Sequence, residues 1–121
     1  MLIPIAYGLA VLLNLGILFV GLRFLFTPWA AAVGYGVPAK QDIAYLRIKG
    51  VRDSTYALVG LALLAFVGAP AEAWFMLVVA LAPIGDMVIV LRHGGTKAVA
   101  FGVHLATAAV VLLDAALLFA I

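Results

Sequence analysis

Residues 3–26 read IPIAYGLAVLLNLGILFVGLRFLF, an apolar run that only Asn14 and Arg23 interrupt. An α-helix rises about 1.5 Å per residue and the hydrocarbon layer of a bilayer is about 30 Å thick, so about 20 apolar residues cross it. The run therefore predicts a transmembrane helix. We expect this helix to end at Thr27-Pro28, because proline can begin a helix but interrupts one that is already formed.

Three more apolar segments follow, and together the four predict an all-α fold, an integral membrane four-helix bundle. The second span is about 51–68, and the helical pattern before it predicts one long helix with Asp42 as its N-cap. The third and fourth spans are about 73–92 and 98–121, with a glycine-containing turn between them. We expect these spans to form a single transmembrane domain over residues 1–121.

The composition favours the same class of protein. The 121 residues are 69% hydrophobic and 10% charged, with a mean hydropathy of +1.33, whereas soluble domains carry about 25% charged residues. These values exclude a soluble globule, and seven scattered basic residues argue against a nucleic-acid partner. With no cysteine and two histidines, we expect no metal and no other cofactor. We expect a multi-pass protein surrounded by membrane lipids, in the cytoplasmic membrane if the source is bacterial.

The basic residues also predict the orientation in the membrane. Every Lys and Arg lies in or beside the first and third connections, and Glu72 is the one charge that we assign to the opposite side. By the positive-inside rule those two connections face the cytoplasm, so both termini lie on the non-cytoplasmic side. The first connection contains a predicted interfacial helix at 28–33, anchored by Trp29. That helix is either a plain connector or a lid over a cytoplasmic cavity.

Three titratable side chains lie at a similar depth on three different spans. Asp86 and His104 are each about 9 Å from the cytoplasmic end of their span, and Asp53 is slightly shallower. Ionisable groups inside a membrane are costly unless they have a role, so we predict that these three form one acid–base site. Arg52 and Tyr56 are predicted to bind and orient a ligand there. The alternative is that these charges only hold the helices together.

Pro83 and Gly85 come directly before Asp86. A proline removes one helical N–H donor and a glycine permits bending, so we predict a kinked helix beside the carboxylate. A kink that serves only packing is the alternative.

The remaining polar and small residues of the spans each have two possible roles. Asn14, Thr107 and Asp114 are predicted either to bind the ligand or to form interhelical hydrogen bonds. Small residues at four-residue spacing form a ridge on the fourth span: Ala98, Gly102 and Ala106. Such a ridge permits close helix contact, and we expect it to face either lipid or a second copy in a homodimer.

Several segments resemble a family of small four-helix membrane proteins that is catalogued as a domain of unknown function. They are Gly50-x-Arg52-Asp53, Pro83-x-Gly85-Asp86 and His104-x-x-Thr107-Ala108, with the stretch from Arg23 to Pro28 before a glycine-rich turn. The resemblance covers nearly the whole chain and implies the four-helix fold, but it implies no catalytic residues. The chain is also similar in size and number of spans to small multidrug-resistance transporters. Those transporters depend on a glutamate in the first span, where this chain has Asn14.

These observations leave two main classes of function. The first is a protein that binds a lipophilic small molecule, and isomerises it, cyclises it or opens an epoxide in it by acid–base catalysis. Asp53 or Asp86 would then be the general base or acid, with His104 as its proton-exchanging partner. The second is a proton-coupled transporter that uses Asp86 and His104. A structural or accessory membrane subunit is the third alternative.

Overall fold

The computed structural model describes residues 1–37 and 42–121, and within these residues the chain is helical without strands. The helices are α1 (Leu2–Phe26), α2 (Pro28–Tyr35), α3 (Ile43–Phe66), α4 (Ala69–Arg92) and α5 (Lys97–Ala120). The fold is therefore all-α, as the sequence predicts.

Three of the helices are long and apolar enough to cross a membrane, namely α1, α4 and α5. Helix α3 is of similar length, but its first half carries charged side chains: Arg47, Lys49, Arg52 and Asp53. These three apolar helices are what a membrane protein requires.

Helices α1 and α3 pack antiparallel and very close together. A Cβ atom on Gly21 would overlap the hydroxyl of Ser54, and one on Gly50 would lie 2.8 Å from the carbonyl oxygen of Gly21. Glycines at such a crossing let two helix backbones approach closely. Close packing of this kind favours helix association inside a membrane, where the hydrophobic effect does not bring helices together. This close contact fixes the α1–α3 pair that forms one wall of the bundle.

Helix α4 is interrupted once, at Ala80, which separates the α-helical segments Ala69–Val79 and Leu81–Arg92. Pro83 has no N–H to donate to the carbonyl of Val79, so the regular hydrogen bonding is lost at that turn. The interruption therefore lies one turn before Pro83.

Helix α5 is also irregular, because its segment Ala100–Leu105 is π-helical between the α-helical segments Lys97–Val99 and Ala106–Ala120. Such π-segments are rare and often lie at functional sites. Nothing in the sequence predicts this one.

The start of α4 differs from the sequence-based expectation. Helix α4 begins at Ala69, earlier than the expected start of the third span, and Glu72 lies in its first turn with 0% of its surface exposed. Pro70 stands near the start of the helix, where proline is well tolerated, and does not mark a loop. Glu72 is thus a buried residue of the bundle instead of an outer surface charge.

Candidate ligand-binding site

A cavity of about 420 Å³ lies between the helices, with residues of all five in its wall. Most of the wall is apolar. The polar side chains that line it are Asn14, Arg23, Tyr35, Asp53, Tyr56, Asp86, His104 and Thr107. A mostly apolar cavity of a few hundred Å³ with a small set of polar groups is typical of a small-molecule site.

Tyr35 is the centre of the polar part of the wall. It is the last residue of α2, which packs through Ala31 and Ala32 against Phe24 of α1. The Tyr35 hydroxyl donates a hydrogen bond to the Asp86 carboxylate. Its backbone carbonyl, which has no helical partner because the helix ends there, accepts a hydrogen bond from His104.

The contact with Tyr35 determines which nitrogen of His104 carries the proton. Nε2 of His104 lies 2.8 Å from the Tyr35 carbonyl oxygen, and a carbonyl oxygen can only accept. Nε2 must therefore carry the hydrogen, which leaves the lone pair of the neutral ring on Nδ1. His104 is only 3% exposed and its ring packs on that of Tyr35 with centroids 4.4 Å apart. His104 is thus held in one orientation with one basic nitrogen.

Lys49 completes this polar group from α3. Its ammonium lies 2.7 Å from Oδ2 of Asp53, one helical turn away. The same ammonium lies 4.1 Å from the ring centroid of Tyr35 and 4.9 Å from that of Phe24. These distances are within the range of cation–π attraction. Lys49 therefore joins Asp53 to the Tyr35 cluster.

Burial and a neighbouring carboxylate keep the Tyr35 hydroxyl protonated. Burial, followed by the neighbouring Asp86 carboxylate, raises the pKa of Tyr35 above its ordinary value. Tyr35 is therefore a hydrogen-bond donor and not a base at physiological pH. The wall contains two acidic side chains, Asp53 and Asp86, and the basic side chain of Arg23, and Lys49 is paired with Asp53.

The structure brings most of the predicted site residues to the same cavity. Asp53, Asp86 and His104 all line it, as do Tyr56 and Thr107. The Thr107 hydroxyl donates to the carbonyl oxygen of Val103, one turn earlier, at 2.6 Å. Asp53, Asp86 and His104 therefore line one cavity.

Arg52 does not lie with them. It is exposed and borders a separate shallow depression with Arg47 and Ile48. Neighbouring residues of an α-helix point about 100° apart, so Asp53 can face the cavity while Arg52 faces away. The cavity has Arg23 as its arginine instead.

Asn14 and Asp114 belong to a deeper polar cluster. The Asn14 amide donates to the Ala10 carbonyl oxygen at 2.9 Å and to Oε1 of Glu72 at 2.7 Å. Asp114 is fully buried and does not line the cavity, and its neighbour Ala115 lies in the same core cluster as Ala73, the neighbour of Glu72. Asn14 therefore lies between the cavity and the two buried acids.

Sequence reasoning missed Tyr35, Arg23 and Glu72 as members of these sites. Tyr35 looks like a turn residue between Gly34 and Gly36, and its partner Asp86 is 51 positions away. No local pattern shows a contact of that kind. For Lys49, the spacing of four residues to Asp53 does give a signal, since such pairs share one face of a helix.

The sequence profile of a family described as a domain of unknown function (DUF4267) matches residues 14–118. This match confirms the resemblance found in the sequence. No curated protein and no solved structure matches the chain.

Proposed function

We propose that this chain, which belongs to the DUF4267 family, binds a lipophilic small molecule in its cavity and acts on it by acid–base chemistry. One observation carries the proposal: His104, the Tyr35–Asp86 pair and Asp53, which is paired with Lys49, line a single cavity whose remaining wall is mostly apolar. The apolar wall suits a lipophilic body, and the polar groups suit one reactive end of it.

The groups differ in the roles that they can take. Nδ1 of His104 is the free basic nitrogen and takes a proton from the bound molecule. The resulting imidazolium of His104 can return that proton at another atom of the bound molecule. Asp86 and Asp53, which accept hydrogen bonds from Tyr35 and Lys49, can take up a second proton from the molecule and give it back. Arg23 supplies a positive charge for an oxygen that becomes negative. Isomerisation, cyclisation and epoxide opening can use these steps, because each requires proton transfer but no oxidation or reduction.

We further propose that α3 is a fourth span and that the cavity opens to the cytoplasm. The basic side chains on the first half of α3, with Arg23, Arg92 and Lys97, support a cytoplasmic position for that end of the bundle. The cysteine-free chain allows single-cysteine labelling in intact cells. A membrane-impermeant maleimide should label Val67→Cys from outside and leave His93→Cys unlabelled. Labelling of His93→Cys alone would reverse the orientation.

Photolabelling with benzophenone, a neutral lipophilic probe, tests binding in the cavity. Gly16 and Gly8 are both exposed glycines of α1, and a Cβ on either meets no atom within 4 Å. Only Gly16 lines the cavity. Gly16→Leu should therefore lower the labelling of cavity-wall peptides several-fold, while Gly8→Leu should leave it unchanged. Equal labelling of these peptides in the two variants, or labelling confined to outward helix faces, would refute the proposal.

Proton-coupled transport is the second candidate, and the deeper polar cluster favours it. Asn14 lines the cavity and donates to Glu72, so polar groups continue from the cavity towards Asp114. Transport requires that the binding site be accessible from each side of the membrane, and polar groups that extend from the cavity towards Asp114 would provide part of such a path. In reconstituted vesicles, substrate-driven proton flux that Asp86→Asn abolishes, with the substrate chemically unchanged, would favour transport over catalysis.

A homodimer through the small-residue ridge is compatible with either function. Ala98, Gly102 and Ala106 are exposed, and a Cβ on Gly102 would meet no atom of its own chain within 4 Å. The ridge therefore faces away from the bundle, where a second copy or lipid can pack on it.

A further inference from the structure

We propose that Glu72 and Asp114 form a proton-binding site in the core of the bundle, and that the pair holds at least one proton at neutral pH. The site is separate from the acid–base groups around Tyr35, and the proposal does not depend on what the cavity binds.

Both carboxyl groups are completely buried, with 0% of either residue exposed. Asn14 donates to one oxygen of Glu72. The other oxygen of Glu72 and both oxygens of Asp114 have no hydrogen-bond partner among the residues that the structure describes. Three buried carboxyl oxygens thus lack the donors that ionised carboxylates require.

The surroundings supply no positive charge. The pair lies with a core of apolar residues that includes Leu64, Ala73, Met76 and Ala115. Of the helices packed around it, α1 contributes Asn14 and the partly buried Tyr7. The part of α3 that follows Tyr56, residues 57–66, has no titratable side chain. Within residues 1–37 and 42–121, the one ion pair is that of Lys49 with Asp53. Neither buried acid therefore has a cationic partner in this part of the chain.

A proton is the ligand that best fits this arrangement. Two ionised carboxylates that act on each other in an apolar core repel, and each also loses its hydration. At least one of two carboxyl groups buried in this way ordinarily holds a proton, which removes a charge and needs no additional ligands. A hard metal ion such as Ca²⁺ would need about six to eight oxygen ligands. No group of three Asp, Glu, His or Cys side chains suited to a metal occurs among the described residues.

Infrared spectroscopy of the full chain in lipid vesicles tests the proposal. At about pH 7, where exposed carboxyl groups are ionised, the wild type should show the carbonyl band of a protonated carboxyl group. Glu72→Gln and Asp114→Asn, which keep the shape of each side chain, should each remove or shift this band. Asp53→Asn is the matched control and should leave the band unchanged, because Asp53 is paired with Lys49.

Two infrared results would overturn the proposal. One is a wild type without the band at about pH 7, and the other is a band that persists unshifted in both Glu72→Gln and Asp114→Asn. A comparison of sodium chloride with choline chloride at constant pH separates a proton from a sodium ion. If sodium removes the wild-type band, the pair binds a metal cation in preference to a proton, and the proposal fails.

Unfolding of the wild type provides a test that does not need the variants to fold. The folded pair holds a proton that exposed carboxyl groups in the unfolded chain release above about pH 5. Stability must then fall as the pH rises, and the unfolding constant should increase about tenfold per pH unit for one proton until the folded pair ionises. Glu72→Gln should reduce this slope. A wild-type unfolding constant that does not change between about pH 5 and pH 8 would contradict the proposal.

Discussion

Gly60→Ala is the substitution that most sharply tests the packing of the deeper cluster. A Cβ at this position would overlap Oδ1 of Asn14 and lie 2.7 Å from its Cγ and 2.8 Å from its Nδ2. Asn14 cannot move aside without losing its hydrogen bonds to Ala10 and Glu72. The added methyl group therefore displaces the one donor that the described residues offer to Glu72.

Two terms set the size of the effect. Forcing an extra methyl group into a packed interior costs about 1–3 kcal/mol. Leaving a buried polar group without its partner costs a further 1–3 kcal/mol or so. The greater helix propensity of alanine offsets at most about 1 kcal/mol. We therefore expect Gly60→Ala to lower the free energy of unfolding by about 1–6 kcal/mol.

Reversible unfolding by SDS in mixed micelles measures this loss. Gly8→Ala is the control, since Gly8 is exposed and a Cβ there meets no atom within 4 Å; it should be neutral or slightly stabilising. In the double variant with Asn14→Ala, the clashing amide is absent, so Gly60→Ala should cost less by about 1–3 kcal/mol. If Gly60→Ala is as stable as Gly8→Ala, Asn14 does not pack against Gly60 as described.

Three further substitutions have defined outcomes. Tyr35→Phe keeps the ring contacts but leaves Asp86 without its donor, so we expect unfolding measurements to show a loss of about 1–3 kcal/mol. Lys49→Met removes the ion pair with Asp53 and both ring contacts, and the same measurement should show a loss of about 1–2 kcal/mol. Gly102→Leu should leave the unfolding of the single chain unchanged and reduce the dimer fraction in size-exclusion chromatography. An unchanged chromatogram would mean that the ridge faces lipid.

The helices were predictable because their cause is local. A long apolar run identifies a helix such as α1 without knowledge of its neighbours, and Asp42 does cap α3, accepting a hydrogen bond from the Ala44 N–H. The same local reasoning placed Asp53, Asp86 and His104 at a common depth, and these three line one cavity. Periodicity and depth are properties of single helices, so sequence can supply them.

The contacts between helices were not predictable in the same way. Tyr35 is tied to Asp86 and His104 only because α2 folds back over the bundle, and no spacing in the sequence encodes that return. Adjacency in sequence also misled, since Arg52 faces away from the cavity that Asp53 lines. For Glu72 a signal was present: an acidic residue shortly after a proline is typical of the first turn of a helix.

The position of the proton on His104 tests the acid–base site most directly. Nitrogen-15 NMR of histidine-labelled protein distinguishes the two tautomers, and His93 provides an internal reference. Nδ1 of His93 lies 2.9 Å from the carbonyl oxygen of Ile89, so His93 should carry its proton on Nδ1, the opposite of His104; His93→Gln assigns the two signals.

We predict that the neutral ring of His104 carries its proton on Nε2 and its lone pair on Nδ1, because Nε2 lies 2.8 Å from the Tyr35 carbonyl oxygen. Adding benzophenone should shift the His104 signals and leave those of His93 unchanged. A neutral His104 with its proton on Nδ1 would contradict the proposed role of this residue as the base of the cavity.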